Sequence, residues 1–187
     1  MEILYYIVGG FFLIFAFTWI FQSRKVKILE KLILEENDFN PSHKYFSSFN
    51  KTAVAVDSEN EKIIFIEGKK KTVINFQDLI SIETKVNNEV LHQTKRGSQV
   101  VGGAVGGLLL GPAGLLIGAL SGKKKVVERI SKISIKILIR NIDKPFCEIV
   151  FYDGNPIKTD SMTHAIFSEL ADEWIGRFSA IISMNNE

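Results

Sequence analysis

The chain has 187 residues, 46% of them hydrophobic, and a formal net charge of +2. That charge is too small to hold nucleic acid by bulk electrostatics, and the aromatic residues do not alternate with Lys and Arg along one face, so no nucleic-acid partner is expected. A single cysteine, Cys147, excludes an internal disulfide, and with only three scattered histidines it offers no metal site.

The first element is apolar. Ile3–Phe21 holds nineteen residues without a charge, which as a helix span about 28 Å, the thickness of a bilayer's hydrocarbon core. Tyr5 and Tyr6 at one end and Trp19 and Phe21 at the other stand where interfacial aromatics belong, with Phe11 and Phe12 between them facing lipid. Arg24, Lys25, Lys27 and Lys31 follow, while only Glu2 precedes. This asymmetry predicts a single-pass anchor over residues 1–22, with the N-terminus outside and the rest cytoplasmic. A cleaved signal peptide would need a basic start, a shorter apolar core and a small-x-small site, none of which is present.

Residues 23–40 read as a juxtamembrane helix and linker. Val26, Leu29 and Ile33 share one helical face, and Asn37, Asp38, Asn40 and Pro41 end it. Arg24, Lys25 and Lys27 are expected to meet anionic headgroups, each contributing about 1 kcal/mol near a charged surface.

From Lys51 the hydrophobic period becomes two. Strands are expected at Thr52–Asp57, Lys62–Glu67, Thr72–Phe76, Leu79–Val86 and Val90–Thr94, joined by turns such as Ser58-Glu59-Asn60 and Asn87-Asn88. Lys69–Lys71 reads as a solvated hairpin tip. Beyond a glycine-rich stretch, Ile133, Ile135, Ile137 and Ile139 alternate with Ser134, Lys136, Leu138 and Arg140, one face for a core and one for solvent. Pro145–Tyr152 pairs back, with Cys147 as a small buried hydrophobe beside Ile149 and Phe151, and Asp153-Gly154-Asn155-Pro156 ends the sheet. A helix capped by Asp160 or Ser161 follows, with Ile166, Leu170, Trp174, Phe178 and Ile182 as the stripe that covers the sheet.

Between the fifth and sixth expected strands lies Ser98–Gly122, uncharged and glycine-rich. Gly102/Gly106, Gly103/Gly107, Gly107/Gly111, Gly114/Gly118 and Gly118/Gly122 have the small-xxx-small spacing of closely packed apolar helices. Each Gly costs a water-exposed helix about 1 kcal/mol relative to Ala, so the run needs close helix contact in return. The flanks are Lys95-Arg96 and Lys123, Lys124 and Lys125, the second cluster a further anionic-lipid contact. Three geometries compete: a single span, which would part the later strands from the earlier ones; a hairpin of two half-helices turning at Gly111-Pro112-Ala113-Gly114; and a flexible loop. The hairpin is the expectation, because it keeps both flanks on one side and Pro112 disfavours an unbroken helix. Its glycine faces are also the expected route to homo-oligomers.

The order of seven short strands then one amphipathic helix matches that of a pleckstrin-homology-like (PH-like) domain, and Asn50–Thr84, with Phe76–Glu83 opening the fourth strand, resembles bacterial members of that group. Gly97-Ser98-Gln99 leading into the glycines, the Lys123–Lys125 flank and Ala171-Asp172-Glu173-Trp174 extend the likeness over most of the chain to a family of bacterial and prophage-encoded membrane proteins. The resemblance implies an α+β fold: an anchor, then over residues 41–187 an antiparallel meander of about seven strands capped by a helix, with residues 98–122 as an apolar insertion. It suggests an envelope role such as excluding a second phage.

The Walker pattern fails, since Ile117 stands where glycine is needed and Lys124 where Ser or Thr is needed. GxSxG, HExxH, CxxC and EF-hand patterns do not occur. His92 and His164 read as surface or interfacial residues, and Asp172/Glu173 diverge around a helix. The chain is therefore expected to need no cofactor and to be no enzyme. Its leading reading is a membrane-anchored binding or adaptor module with an unnamed protein partner; the alternative is an effector that inserts its glycine hairpin and oligomerises.

Overall fold

The run Lys62–Glu67 is apolar at four successive positions, a pattern that belongs to a strand buried on both faces rather than one. The computed structural model, which describes residues 26–47, 49–50, 52–95, 116–117, 125–126 and 129–185, supplies the second layer. A first sheet has the order β1-β2-β3-β4 (His43–Phe46, Thr52–Asp57, Lys62–Glu67, Lys70–Asn75). Its inner face presents Val54, Val56, Ile63, Phe65 and Ile74 to the main core. Its outer face presents Ala53, Ala55, Ile64 and Ile66 to the helix α1, residues 26–34, whose Leu29 and Ile33 are buried there with Phe39. The two alanines are what let α1 approach: a larger residue at either would hold the helix off.

The segment expected to be a juxtamembrane helix and linker thus supplies, over residues 26–39, a third layer of the domain. Glu30 of α1 pairs with Lys44 of β1, and Glu36 with Lys71 of β4 at 2.7 Å, so α1 runs from one edge of the sheet to the other. Lys71 is accordingly partly covered, not part of a wholly solvated tip. Asp38 adopts a left-handed φ of 55° as the chain reverses. Asp57, fully buried, then accepts from the Asn40 backbone N–H at 2.7 Å and from the Glu59 and Asn60 backbone and Asn60 side chain. Burial pushes this carboxyl up, but the Asn60 side chain and three backbone N–H groups together hold it below the ordinary range.

The second sheet has the order β10-β9-β5-β6: β5 Leu79–Val86, β6 Glu89–Lys95, β9 Arg129–Ile139 and β10 Phe146–Lys158. Ile133, Ile135, Ile137 and Ile139 face the core as expected, opposite Val86, Thr84, Ile82 and Leu79. Helix α2, Met162–Met184, lies against β5, β9 and β10, and its Phe178 ring stands 6.3 Å from that of Phe65 in β3. The architecture is α+β: antiparallel sheets closed by a C-terminal helix.

Four expectations are corrected. The seven-strand meander becomes two four-stranded sheets, because β1 lies in the stretch expected as linker and β9 jumps over β6 to pair with β5; a two-stranded ladder, β7 Leu116–Ile117 with β8 Lys125–Val126, is added. β10 does not end at Asp153-Gly154-Asn155-Pro156 but absorbs it as a bulge before Ile157 pairs with Ile130; Pro156 is tolerated there because β10 is an edge strand. On α2, Ile166 is 54% exposed: a spacing of four gains about 40° per step on a 3.6-residue helix, so the stripe starts instead at His164 and Ser168 and runs through Ala171 and Ile175, while Trp174, Phe178 and Ile182 are buried as expected and Leu170 packs at its edge. His164 is buried, not superficial; Ser161 caps the helix by accepting from the His164 N–H, and the ring meets Ser168 Oγ at 3.0 Å.

One flank of α2 is under-satisfied. Both carboxylate oxygens of Asp172 and the Ser179 hydroxyl are buried without a hydrogen bond. Desolvation raises the Asp172 carboxyl from 3.8 to about 6. A raised folded-state value means stability is complete below about pH 4 and is lost as the pH climbs through 6. Asp172 is only partly buried as a residue, so after screening the loss is about 1 kcal/mol. Asp172→Asn, which cannot ionise, is expected to exceed wild type by that amount at pH 8 and to match it at pH 3 in urea titrations. An equal difference at both pH values would sink this account.

Candidate membrane-facing site

The anchor residues Ile3, Tyr5, Tyr6, Phe11, Phe12, Trp19 and Phe21 lie outside the described residues, as do Arg24 and Lys25. Among the described residues no helix is long and apolar enough to cross a membrane. Lys27 is described: it stands exposed on α1. That helix is fixed to the sheet, so Lys27 and its neighbours are held in place.

Gly102, Gly103, Gly106, Gly107, Gly111, Gly114, Gly118 and Gly122, and Lys123 and Lys124, also lie outside the described residues. Leu116–Ile117 and Lys125–Val126 are described, and they are extended and paired antiparallel. Helix is therefore corrected to strand at Leu116–Ile117, where Ile117 opposite Lys125 and Leu116 opposite Val126 form a local ladder, a conformation that β-branched Ile and Val favour.

The ends of the insertion are informative. β6 leaves the sheet at Lys95, opposite Ser81, whereas β9 enters beyond Ile133, opposite Val86. Both are antiparallel to β5, hence parallel to each other. From Lys95 to Arg129 the chain must gain about nine strand residues, or roughly 30 Å, along β5. The two flanks of the insertion therefore sit at opposite ends of the second sheet. Topologically, residues 96–128 are a crossover between two parallel strands, which requires a dozen or more residues. The returning end is clamped by Asn87 in the β5–β6 turn. Its Oδ1 accepts from the Ser131 N–H at 2.8 Å and the Lys132 N–H at 3.3 Å, and its Nδ2 donates to Arg129 O at 2.9 Å. Asn87 and Asn88 both have positive φ, the pairing that a tight two-residue hairpin demands.

The outer face of the second sheet is polar. Glu148 accepts from Ser134 Oγ at 2.8 Å and pairs with Lys132 at 3.1 Å; burial raises its carboxyl, and Ser134 and Lys132 more than reverse this. Lys136 Nζ lies 3.7 Å above the Phe146 ring. Inside, Cys147 is buried as expected, and burial pushes its thiol up to about 11. In the native protein at pH 7.5 it is expected to resist an aqueous thiol reagent for hours and to react fully in denaturant; prompt native labelling would contradict its placement. Among the described residues no three of His, Cys, Asp and Glu cluster closely enough to hold a metal ion.

Sequence reasoning missed the seat of α1. The signal was there: alanines alternating with valines in Thr52–Asp57, and an uninterrupted apolar run in the next strand, both of which require a second covering layer.

Comparison with known proteins bears on this arrangement. An immunity protein of Bacillus phage SPbeta is 26% identical over 166 residues, covering 81% of this chain and 79% of that protein. An SPbeta prophage-derived uncharacterized membrane protein of Bacillus subtilis (strain 168) is 26% identical over 166 residues, covering 81% and 70%. No solved structure matches significantly. The family model for a glycine zipper containing PH domain matches residues 43–153, from the first residue of β1 to the bulge in β10, with the insertion inside the match and both helices outside it. Since that match takes in more than half of the chain, the chain belongs to the family of glycine zipper containing PH domains.

Proposed function

We propose that the chain is a non-enzymatic PH-like binding module, held at the cytoplasmic face of the membrane by residues 1–22, that acts in prophage immunity by excluding a second phage. One observation carries the tethering: the uncharged stretch Ile3–Phe21 and its basic cluster lead, within four residues, into a helix seated on the first sheet. A connection of so few residues to a helix seated on the sheet keeps the domain near the membrane. The names of the two relatives, an immunity protein and a prophage-derived membrane protein, support the phage role and the membrane association.

The test is the plating efficiency of phage SPbeta on Bacillus subtilis expressing the full chain, with fractionation in parallel. The protein is expected in the membrane pellet after an alkaline wash, and plating is expected to fall at least tenfold. Recovery in the wash would overturn the tether; normal plating with the chain in the pellet would overturn the immunity role.

A further inference from the structure

We propose that the outer face of α1 lies on the bilayer surface, so that the first sheet sits parallel to the membrane with α1 sandwiched between sheet and lipid. This rests on the tethered reading above. Leu29 and Ile33 point α1's inner face into the sheet, and on a 100° wheel Lys27, Ile28, Lys31, Leu34 and Glu35 then make up the opposite side. Ile28 is 60% exposed and Leu34 65%, two large aliphatic side chains on a helix whose apolar needs are already met by the sheet.

Position identifies what covers them. Only residues 22–25 separate Phe21 from the first described residue of α1, five steps with a reach of at most about 18 Å, and the headgroup layer is itself roughly 5–7 Å deep. With the apolar stretch in the bilayer, the first described residue of α1 lies within the headgroups or no more than roughly a dozen Å beneath them. Its seat on the sheet and the ion pairs of Glu30 and Glu36 prevent it from swinging away.

The chemistry matches an anionic interface. Lys27 and Lys31 can reach phosphates while Ile28 and Leu34 enter the headgroup–acyl boundary, as in interfacial helices. Glu35 opposes this charge, but its pairing with Lys31 is long, at 3.7 Å, and solvated. A second protein is a poorer fit: these two side chains offer on the order of 150 Å² of apolar surface, against the roughly 800 Å² per partner of a stable interface.

Full-length Ile28→Cys, Leu34→Cys and Ile166→Cys variants, labelled with a bimane and reconstituted into vesicles of equal phosphatidylglycerol and phosphatidylcholine, provide the test. Cys147 is left in place, being buried. A headgroup-level lipid quencher is expected to act at least threefold more strongly at positions 28 and 34 than at 166, and aqueous iodide in the reverse order. Lys27→Glu with Lys31→Glu is expected to reduce the contrast below twofold. Iodide access at 28 and 34 equal to that at 166 would overturn the proposal, as would energy transfer between position-28 labels on two copies. Loss of the whole chain to an alkaline wash would instead overturn the tether on which it rests.

Discussion

Ile33→Asp is expected to unseat α1 at a cost of about 3 kcal/mol while leaving the two-sheet core folded. Ile33 is 1% exposed and, with Leu29 and Phe39, fills the outer face of the first sheet. Losing a buried Ile forfeits about 1.5–3 kcal/mol, and an unpaired carboxylate left against Ile64 and Ile66 adds a desolvation cost. The penalty has a ceiling, because the helix can lift off instead of enduring it. That ceiling is the docking free energy of α1, so the expected signature is local: amides of residues 26–34 lose hydrogen-exchange protection while those of β5 and β9 keep theirs. Ile28→Asp, on the opposite face, is expected to stay within about 0.5 kcal/mol of wild type. Uniform loss of protection across both sheets, or equal effects of the two substitutions, would refute a separately docking third layer.

This layer also marks where the sequence was and was not legible. β5 is found at the expected residues, Leu79–Val86, and β2 and β3 likewise, because each is a short β-branched or apolar run with turn residues such as Asn, Gly or Asp beside it. The isoleucine strand was legible for the same reason. What local pattern could not reveal was pairing at a distance. Nothing near Ile133 announces that β9 sits beside β5 instead of β6, and that choice moves the two ends of the glycine-rich insertion to opposite ends of the sheet. β1 escaped notice because His43–Phe46 is short and its Tyr45 and Ser47 are anchored by Val150 O, 3.2 and 2.7 Å away but more than a hundred residues along the chain. The bulge in β10 was misread as an ending because Gly154 and Pro156 usually end strands. Here Tyr152 folds over Gly154, where a Cβ would come within 3.2 Å of its hydroxyl, and the strand resumes. Of the candidate site, the seat of α1 on the sheet was not legible, because it depends on tertiary contacts with β2 and β3.

Trp174→Ala is expected to be the most damaging single truncation in α2, at about 3–5 kcal/mol. Trp174 is 2% exposed, and its ring lies 5.6 Å from that of Phe178 and 6.4 Å from that of Tyr45. Tyr45 in turn stacks on Phe151 of β10 at 4.9 Å, and burial pushes its phenol up to about 12, so it stays a neutral donor to Val150 O. Trp174 and Tyr45 together therefore join α2, β1 and β10 where the edges of the two sheets meet. The rigid strands on either side cannot collapse into the space an alanine would leave, and Tyr45 would lose the α2 ring it packs against. Against a total stability of about 5–15 kcal/mol, the loss would leave the domain marginal. With a urea m-value of about 2 kcal/mol/M, the midpoint should fall by about 2 M. Trp174→Phe should recover roughly half of this by restoring ring contact with Phe178, whereas Met162→Ala, at the exposed start of α2, should stay within about 0.5 kcal/mol. A Trp174→Ala midpoint within 0.5 M of wild type would mean that α2 does not close the core of this sandwich.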